Sequence, residues 1–298
     1  MNPMPLSRQE FEQLRVYIHK ICGLYILDEK MYLVQQRLEG LVRQHACASF
    51  EAFYALLTST PPAGVHESII EAITTHETSF FRDRHPFDAF RDHLLPALGA
   101  GIKAAKAARN ARTGRADGEQ PHRARIWCAG ASTGQEPYSL AMLVHDYVQA
   151  NCFLGVAPQD FTILATDISN DVLAKAKNGV YSDLEVVRGL QPEAKNRYFQ
   201  PADKGWRIRD EIRRIVDFRK MNLVEPFGML TGFDCIFCRN VLIYFDDPTK
   251  KQIIEQFHRK LTDNGVLVLG SAENLYALTE AFESITVGDT ILYRKRKM

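Results

Sequence analysis

The sequence predicts an α/β protein in two parts: a small helical bundle, then a parallel sheet with helices on both faces. Three observations carry that reading. Apolar residues recur at helical spacing through residues 1–75. From about residue 125, short apolar runs alternate with helical segments, the pattern of a parallel sheet built from strand–helix units. The first of those runs ends in a turn of small residues, CAGASTGQEP at 128–137, and ligands on such sheets bind beyond the carboxyl ends of the strands.

Taken in order, Ser7 with Glu10 three residues later forms a capping box that opens the helix FEQLRVYIHKICG, and Gly23 ends it. A second helix starts near Asp28, with Met31, Val34, Leu38, Leu41 and Val42 as its core stripe. FEAFYALL is a third, Pro61-Pro62 marks a turn, and a fourth runs through ESIIEAI. Between about 99 and 125, GAGIKAAKAARNARTGRADGEQPHRAR holds seven Lys/Arg against two Asp/Glu, 7 − 2 = +5, with almost no large apolar residue after Ile102. Such composition predicts a flexible insertion; a basic contact for an acidic partner is the other reading.

ARIWCAG is then the first strand, followed by a helix through PYSLAMLVHDYVQ. FTILATDIS is the second, and Ser169 and Gly179 bound the helix after it. RRIVDFRKMNL and FDCIFCRNVLIYF hold the third and fourth. A helix in DPTKKQIIEQFHRKLTDNG leads to the fifth, GVLVLGSAE, and SITVGDTILYRKRK closes as a hairpin around Gly288-Asp289.

Composition narrows the functional classes. An apolar fraction of 46% and a charged fraction of 24% are those of an ordinary globular protein. A net charge of +1 argues against a nucleic-acid binder. No apolar run of eighteen residues occurs, and MNPMPLSRQEFEQ lacks the apolar centre of a signal peptide, so a cytoplasmic protein without direct membrane insertion is expected. The six cysteines are scattered, which fits reduced thiols. Cys235 and Cys238 have CxxC spacing but sit in an apolar run, so no metal is expected there.

Four features point to chemistry. The turn after the first strand has GxxxG spacing, from Gly130 to Gly134, with Glu136 at the helix start. A dinucleotide favours GxGxxG and a helix start open to pyrophosphate. An acid there repels phosphate but can hold an ammonium group, so a ligand with a free amine, such as S-adenosylmethionine, fits; packing also produces such turns. Asp167 ends the second strand, where an acid accepts bonds from ribose hydroxyls or caps a helix that Ser169 already caps. Asn222 and Leu223 close the third strand, where an adenine edge would lie. Arg239 and Asn240 end the fourth. Unpaired burial there would cost several kcal/mol, so they face a ligand or a fixed hydrogen-bond network.

THETSFFRD at 75–83, CAGASTGQEPYSLA at 128–141, ATDIS at 165–169, FDCIFCRNVLIYFD at 233–246 and GSAEN at 270–274 occur in that order. Together with LVQQRL in the helical part, they closely resemble the CheR-type chemotaxis receptor methyltransferases over nearly the whole chain. The resemblance implies a class I methyltransferase Rossmann-like sheet over 76–298, an N-terminal helical receptor-recognition domain over 1–75, and a small β-subdomain inserted at about 197–218. It implies S-adenosylmethionine as cofactor, S-adenosylhomocysteine as product and no metal. Cofactor contacts are implied at Thr78, Arg82, Glu136, Asp167, Asn222, Leu223, Arg239 and Asn240, with Gly130 in the turn. His76 stands where the family usually has Asn; histidine is the residue type that changes charge near neutral pH, so this contact is expected to be pH-sensitive.

The implied reaction is methyl esterification of glutamates on the helical cytoplasmic domain of methyl-accepting chemotaxis receptors, by a protein recruited to membrane receptor arrays. Arg82 is expected to orient the incoming carboxylate, and Tyr244 to line the transfer channel or to be a core aromatic. Lys30 and Arg37 share a helix side and are expected to bind substrate. The short loop PADKGW in the β-subdomain makes a tether to a receptor C-terminal peptide less expected. A non-catalytic module that senses S-adenosylmethionine, and a methyltransferase for another substrate, are the alternatives. Base amino-methyltransferases place Pro-Pro and an aromatic where this chain has Val-Leu-Ile-Tyr.

Overall fold

The computed structural model describes residues 3–111 and 123–296. The bundle comprises α1 (Arg8–Cys22), α2 (Met31–Gln44), α3 (Phe50–Ser59) and α4 (Val65–Ile73). The capping box forms: the Glu10 N–H donates to Ser7 Oγ, and the Ser7 N–H donates to the Glu10 carboxylate at 2.7 Å. Phe11, Leu14 and Ile18 of α1 pack with Val34, Leu38 and Val42 of α2 and with Phe50, Phe53 and Ile69 in one buried core; the predicted stripe on α2 is its buried face.

After the bundle come α5 (His85–Ala89) and α6 (Leu95–Ala111), joined through a wider π turn at Phe90–Leu94. Here the expected flexible insertion over about 99–125 is corrected for its first part, up to Ala111. The basic stretch is helical up to Ala111, and Ile102 is fully buried. Alanine and lysine are strong helix formers whatever their hydrophobicity, and Leu95 and Ile102 anchor the helix to the sheet core. Residues 112–122 of that stretch lie outside the described residues, and Ala124 already begins the first strand.

The remaining elements are β1 (Ala124–Ala129), α7 (Gln135–Ala150), β2 (Phe161–Asp167), α8 (Asn170–Asn178), β3 (Val180–Tyr181), α9 (Asp183–Val187), α10 (Pro192–Tyr198), β4 (Phe199–Ala202), β5 (Gly205–Ile208), α11 (Asp210–Arg213), β6 (Val216–Lys220), β7 (Phe233–Cys238), α12 (Asp247–Lys260), β8 (Leu261–Leu269), β9 (Phe282–Val287) and β10 (Thr290–Lys295). The main sheet runs β6-β2-β1-β7-β8-β10-β9. Its first five strands are parallel, and β10 is antiparallel to both neighbours. The chain moves outward from β1 to β2 and β6, then returns to pair β7 on the other side of β1. That reversal opens a crevice at the carboxyl ends of β1 and β7, the usual ligand site of such sheets.

Side chains alternate across the sheet, and both faces are covered. Ile126 and Cys128 join the core beneath α6 and α7, while Trp127 and Ala129 join the one beneath α12. Cys235 and Cys238, three apart on β7, therefore belong to opposite cores; burial pushes both thiols well above their usual range.

The small β-subdomain is a three-stranded antiparallel sheet in the order β3-β5-β4. Its expected span of 197–218 is corrected at both ends. It begins at Val180, and Val216–Phe218 belong to β6 of the main sheet. A two-residue strand carries no periodic signal; Val180 and Tyr181 are a strand only because Arg207 and Trp206 pair with them.

Candidate active site

One cleft opens at the switch point, between the sheet rim and the bundle. Counting its open mouth, it holds about 1070 Å³ of space between atoms, the scale of small-molecule sites. His76, Thr78 and Arg82 reach it from the connector between α4 and α5. Gly130 and Glu136 come from the turn after β1, and Asp167 from the end of β2. Asn222 and Leu223 follow β6; Arg239, Asn240 and Tyr244 follow β7. All of these predicted residues line the cleft, although they are spread over nearly 170 positions of sequence.

Gly130 has φ 84°, and a Cβ there would lie 2.4 Å from Val241 Cγ2. Only glycine lets the turn and the loop after β7 approach so closely. Asp167 is 8% exposed. Its Oδ2 accepts from the Ser132 N–H at 2.8 Å and its Oδ1 from the Ser169 N–H at 3.1 Å. Burial raises this carboxyl above the usual range, while those N–H groups and His76 oppose the rise. Each oxygen has acceptor capacity left for a ligand hydroxyl. His76 is held by Thr74 Oγ1 at 2.8 Å from Nε2 and, through its carbonyl, by the Ser132 hydroxyl at 2.9 Å.

Arg239 belongs to a fixed network. Its Nη1 donates to Glu136 at 3.0 Å; its Nη2 donates to Asp83 and to the Arg82 carbonyl, both at 2.8 Å. Only 1% of its side chain is exposed. An ion-pair network thus holds Arg239 in the cleft wall and joins the first turn of α7 to the connector. Burial lifts the Glu136 carboxyl above its usual range, and Arg239 draws it back down.

Asn222 is likewise engaged: its Nδ2 donates to the Ile21 carbonyl at 3.0 Å and to Glu225 at 3.2 Å, tying the end of α1 to the sheet. Arg82 is less committed. Its Nη1 donates to the Glu77 carbonyl at 2.9 Å, and among the described residues no other hydrogen bond reaches its guanidinium.

Neither expected substrate-binding residue lines the cleft. Lys30 is exposed at the start of α2. The Arg37 guanidinium donates to the Ile73 and Thr74 carbonyls at 2.6 and 3.0 Å and to Thr75 Oγ1 at 3.2 Å. It caps the end of α4, whose last carbonyls lack intrahelical partners. Sequence reasoning missed three residues. Ser132 clamps both Asp167 and His76, Asp83 receives Arg239, and Glu273 accepts four backbone N–H groups. All lie inside the five ordered motifs, so their signal was position without a visible partner.

The site suits S-adenosylmethionine: a carboxylate with open acceptor sites at the end of β2, an acid at the start of α7, and a glycine cradle that a Cβ would fill. Residues 76–291 match the family described as CheR methyltransferase, SAM binding domain, and residues 9–74 match CheR methyltransferase, all-alpha domain. The chain belongs to the CheR methyltransferase family. Its cofactor is therefore S-adenosylmethionine, and its sheet is the class I methyltransferase fold. Curated relatives in the family include "Chemotaxis protein methyltransferase Cher2" of Pseudomonas putida, 35% identical over 98% of this chain and 100% of that one. "Chemotaxis protein methyltransferase 1" of Pseudomonas aeruginosa is 37% identical over the same shares. "Chemotaxis protein methyltransferase" of Escherichia coli is 34% identical over 94% of this chain and 89% of that one.

Proposed function

We propose that this protein esterifies glutamate side chains in the helical cytoplasmic domain of methyl-accepting chemotaxis receptors, releasing S-adenosylhomocysteine, for adaptation in chemotaxis. The relatives' names support the pathway. The observation that carries the acceptor chemistry is Arg82, whose guanidinium lines the cleft with one hydrogen bond among the described residues.

A glutamate carboxylate, with an unperturbed pKa of about 4.3, is already a nucleophile at neutral pH. S-adenosylmethionine supplies a methyl group activated on a sulfonium. The protein's own task is orientation, which can be worth roughly 7–11 kcal/mol. Arg82 holds the incoming carboxylate through its planar fork, loosely enough to leave an oxygen reactive. Asp167 accepts the ribose hydroxyls, Glu136 faces the amine, and Tyr244 lines the path between acceptor and cofactor. Lys30 belongs to the receptor-facing side of the bundle in this reading, with the protein cytoplasmic and recruited to receptor arrays. The turn between β4 and β5 is only Asp203-Lys204, which supports methylation without a C-terminal peptide tether.

Transfer of a tritiated methyl group to purified receptor tests the proposal. Alkali-labile label is expected; alkali-stable label or none refutes ester formation. Arg82→Ala is expected to lower turnover at saturating receptor at least tenfold, roughly the loss of one charge-assisted bond, with little change in cofactor affinity. Unchanged turnover would remove Arg82 from the mechanism.

A further inference from the structure

The loop after β7 forms one wall of the cofactor cleft, through Asn240, Val241 and Tyr244. It carries an irregular backbone: Asn240 is left-handed, with φ 57°. Such a turn gathers successive N–H groups on one side, a concavity that suits an anion. The anion is internal. Glu273 Oε2 accepts from the Asn240 and Gly270 N–H groups at 2.7 and 2.8 Å, and Oε1 from those of Val241 and Ile243 at 2.9 and 3.2 Å. Glu273 does not line the cleft but lies in the wall of an adjoining groove. Val241, held this way, is the residue whose side chain meets the missing Cβ of Gly130.

We propose that Glu273 is a positioning residue for cofactor binding: its carboxylate sets the loop after β7 at the distance from the Gly130 turn that the cofactor requires. This inference does not depend on which substrate receives the methyl group. Glutamine keeps the shape but offers one acceptor oxygen and turns a donor towards N–H groups, so two of the four bonds are lost. Gly270 supplies an independent lever outside the cleft. A Cβ there would stand 2.8 Å from both the Asn240 nitrogen and Glu273 Oε2, wedging loop and carboxylate apart without changing charge.

The experiment compares Glu273→Gln and Gly270→Ala with the unmodified protein, using calorimetric titration with S-adenosylhomocysteine, near-UV circular dichroism and steady-state kinetics. Both variants are expected to stay folded while binding weakens roughly tenfold or more, with KM for S-adenosylmethionine raised and kcat at saturation nearly kept. A merely structural role would lower the melting temperature and leave the folded fraction's affinity intact. Hydrogen exchange on the unmodified, ligand-free protein gives a readout free of folding defects: the Asn240, Val241 and Ile243 amides are expected to be protected. Affinity within twofold of the original in a folded variant, or exchange of those amides at open-loop rates, overturns the proposal.

Discussion

The Arg239 guanidinium bridges Glu136, Asp83 and the Arg82 carbonyl, with 1% of its side chain exposed. Removing one partner of such a buried pair leaves an uncompensated charge, at about 3–5 kcal/mol. Arg239→Ala is therefore expected to shift urea denaturation by an amount in that range, and a shift below about 1 kcal/mol would show the network to be dispensable. Glu136 also gives a pH signature. Burial holds its folded-state carboxyl above the ordinary 4.5. Its contribution to fold stability is thus greatest below pH 4.5 and is lost as the pH rises through the raised value. Attraction for a ligand amine runs the other way, since only the carboxylate is charged. S-adenosylhomocysteine affinity is expected to fall on acidification, with its inflection above pH 4.5; calorimetry from about pH 4.5 to 8 that gives a flat profile counts against the amine assignment. Asp167→Ala is expected to weaken binding in the same titration, and unchanged affinity would refute the ribose assignment.

Among the elements, α6 sets two glycines against one another. A Cβ on Gly101 would meet nothing within 4 Å, whereas one on Gly99 would meet the Tyr147 hydroxyl at 2.0 Å and its ring at 2.8 Å. Alanine favours a helix over glycine by about 0.5–1 kcal/mol. Gly101→Ala is expected to raise stability by that amount, and Gly99→Ala to lose the gain by displacing Tyr147; thermal melts compare them directly, and equal shifts would mean that α6 does not pack on α7 as described. At the end of α4, Arg37→Ala uncovers two carbonyls beside the cleft. A loss of about 1–3 kcal/mol together with weaker cofactor binding is expected, rather than a defect confined to receptor docking.

At the scale of the whole molecule, the cleft takes residues from both bundle and sheet, and the two are stitched at its edge. Asn222 Nδ2 bonds the Ile21 carbonyl, the Tyr25 N–H donates to the Tyr244 carbonyl at 2.8 Å, and the Ser169 hydroxyl donates to Glu71, which also accepts from the Asp171 N–H. A ligand held between the two parts stabilises both. At about a hundred times its dissociation constant, S-adenosylhomocysteine is expected to add about 2.7 kcal/mol and to move a single melting transition. A bundle that melts separately and ignores the ligand would contradict this picture.

Sequence alone determined the strand–helix alternation, the capping box at Ser7 and the core stripe on α2, because periodicity, caps and turn residues act over a few neighbours; the full set of positions that line the cleft was implied by the family resemblance of the ordered motifs. Tertiary structure decided the partners. Which acid pairs with Arg239, which carbonyls Arg37 reaches, and which anion the turn at Asn240 gathers depend on residues 33 to 103 positions away. Local pattern cannot rank such distant partners. The sheet's reversal between β1 and β7 ranks them by bringing the strand ends together, where buried charges and backbone N–H groups must satisfy one another.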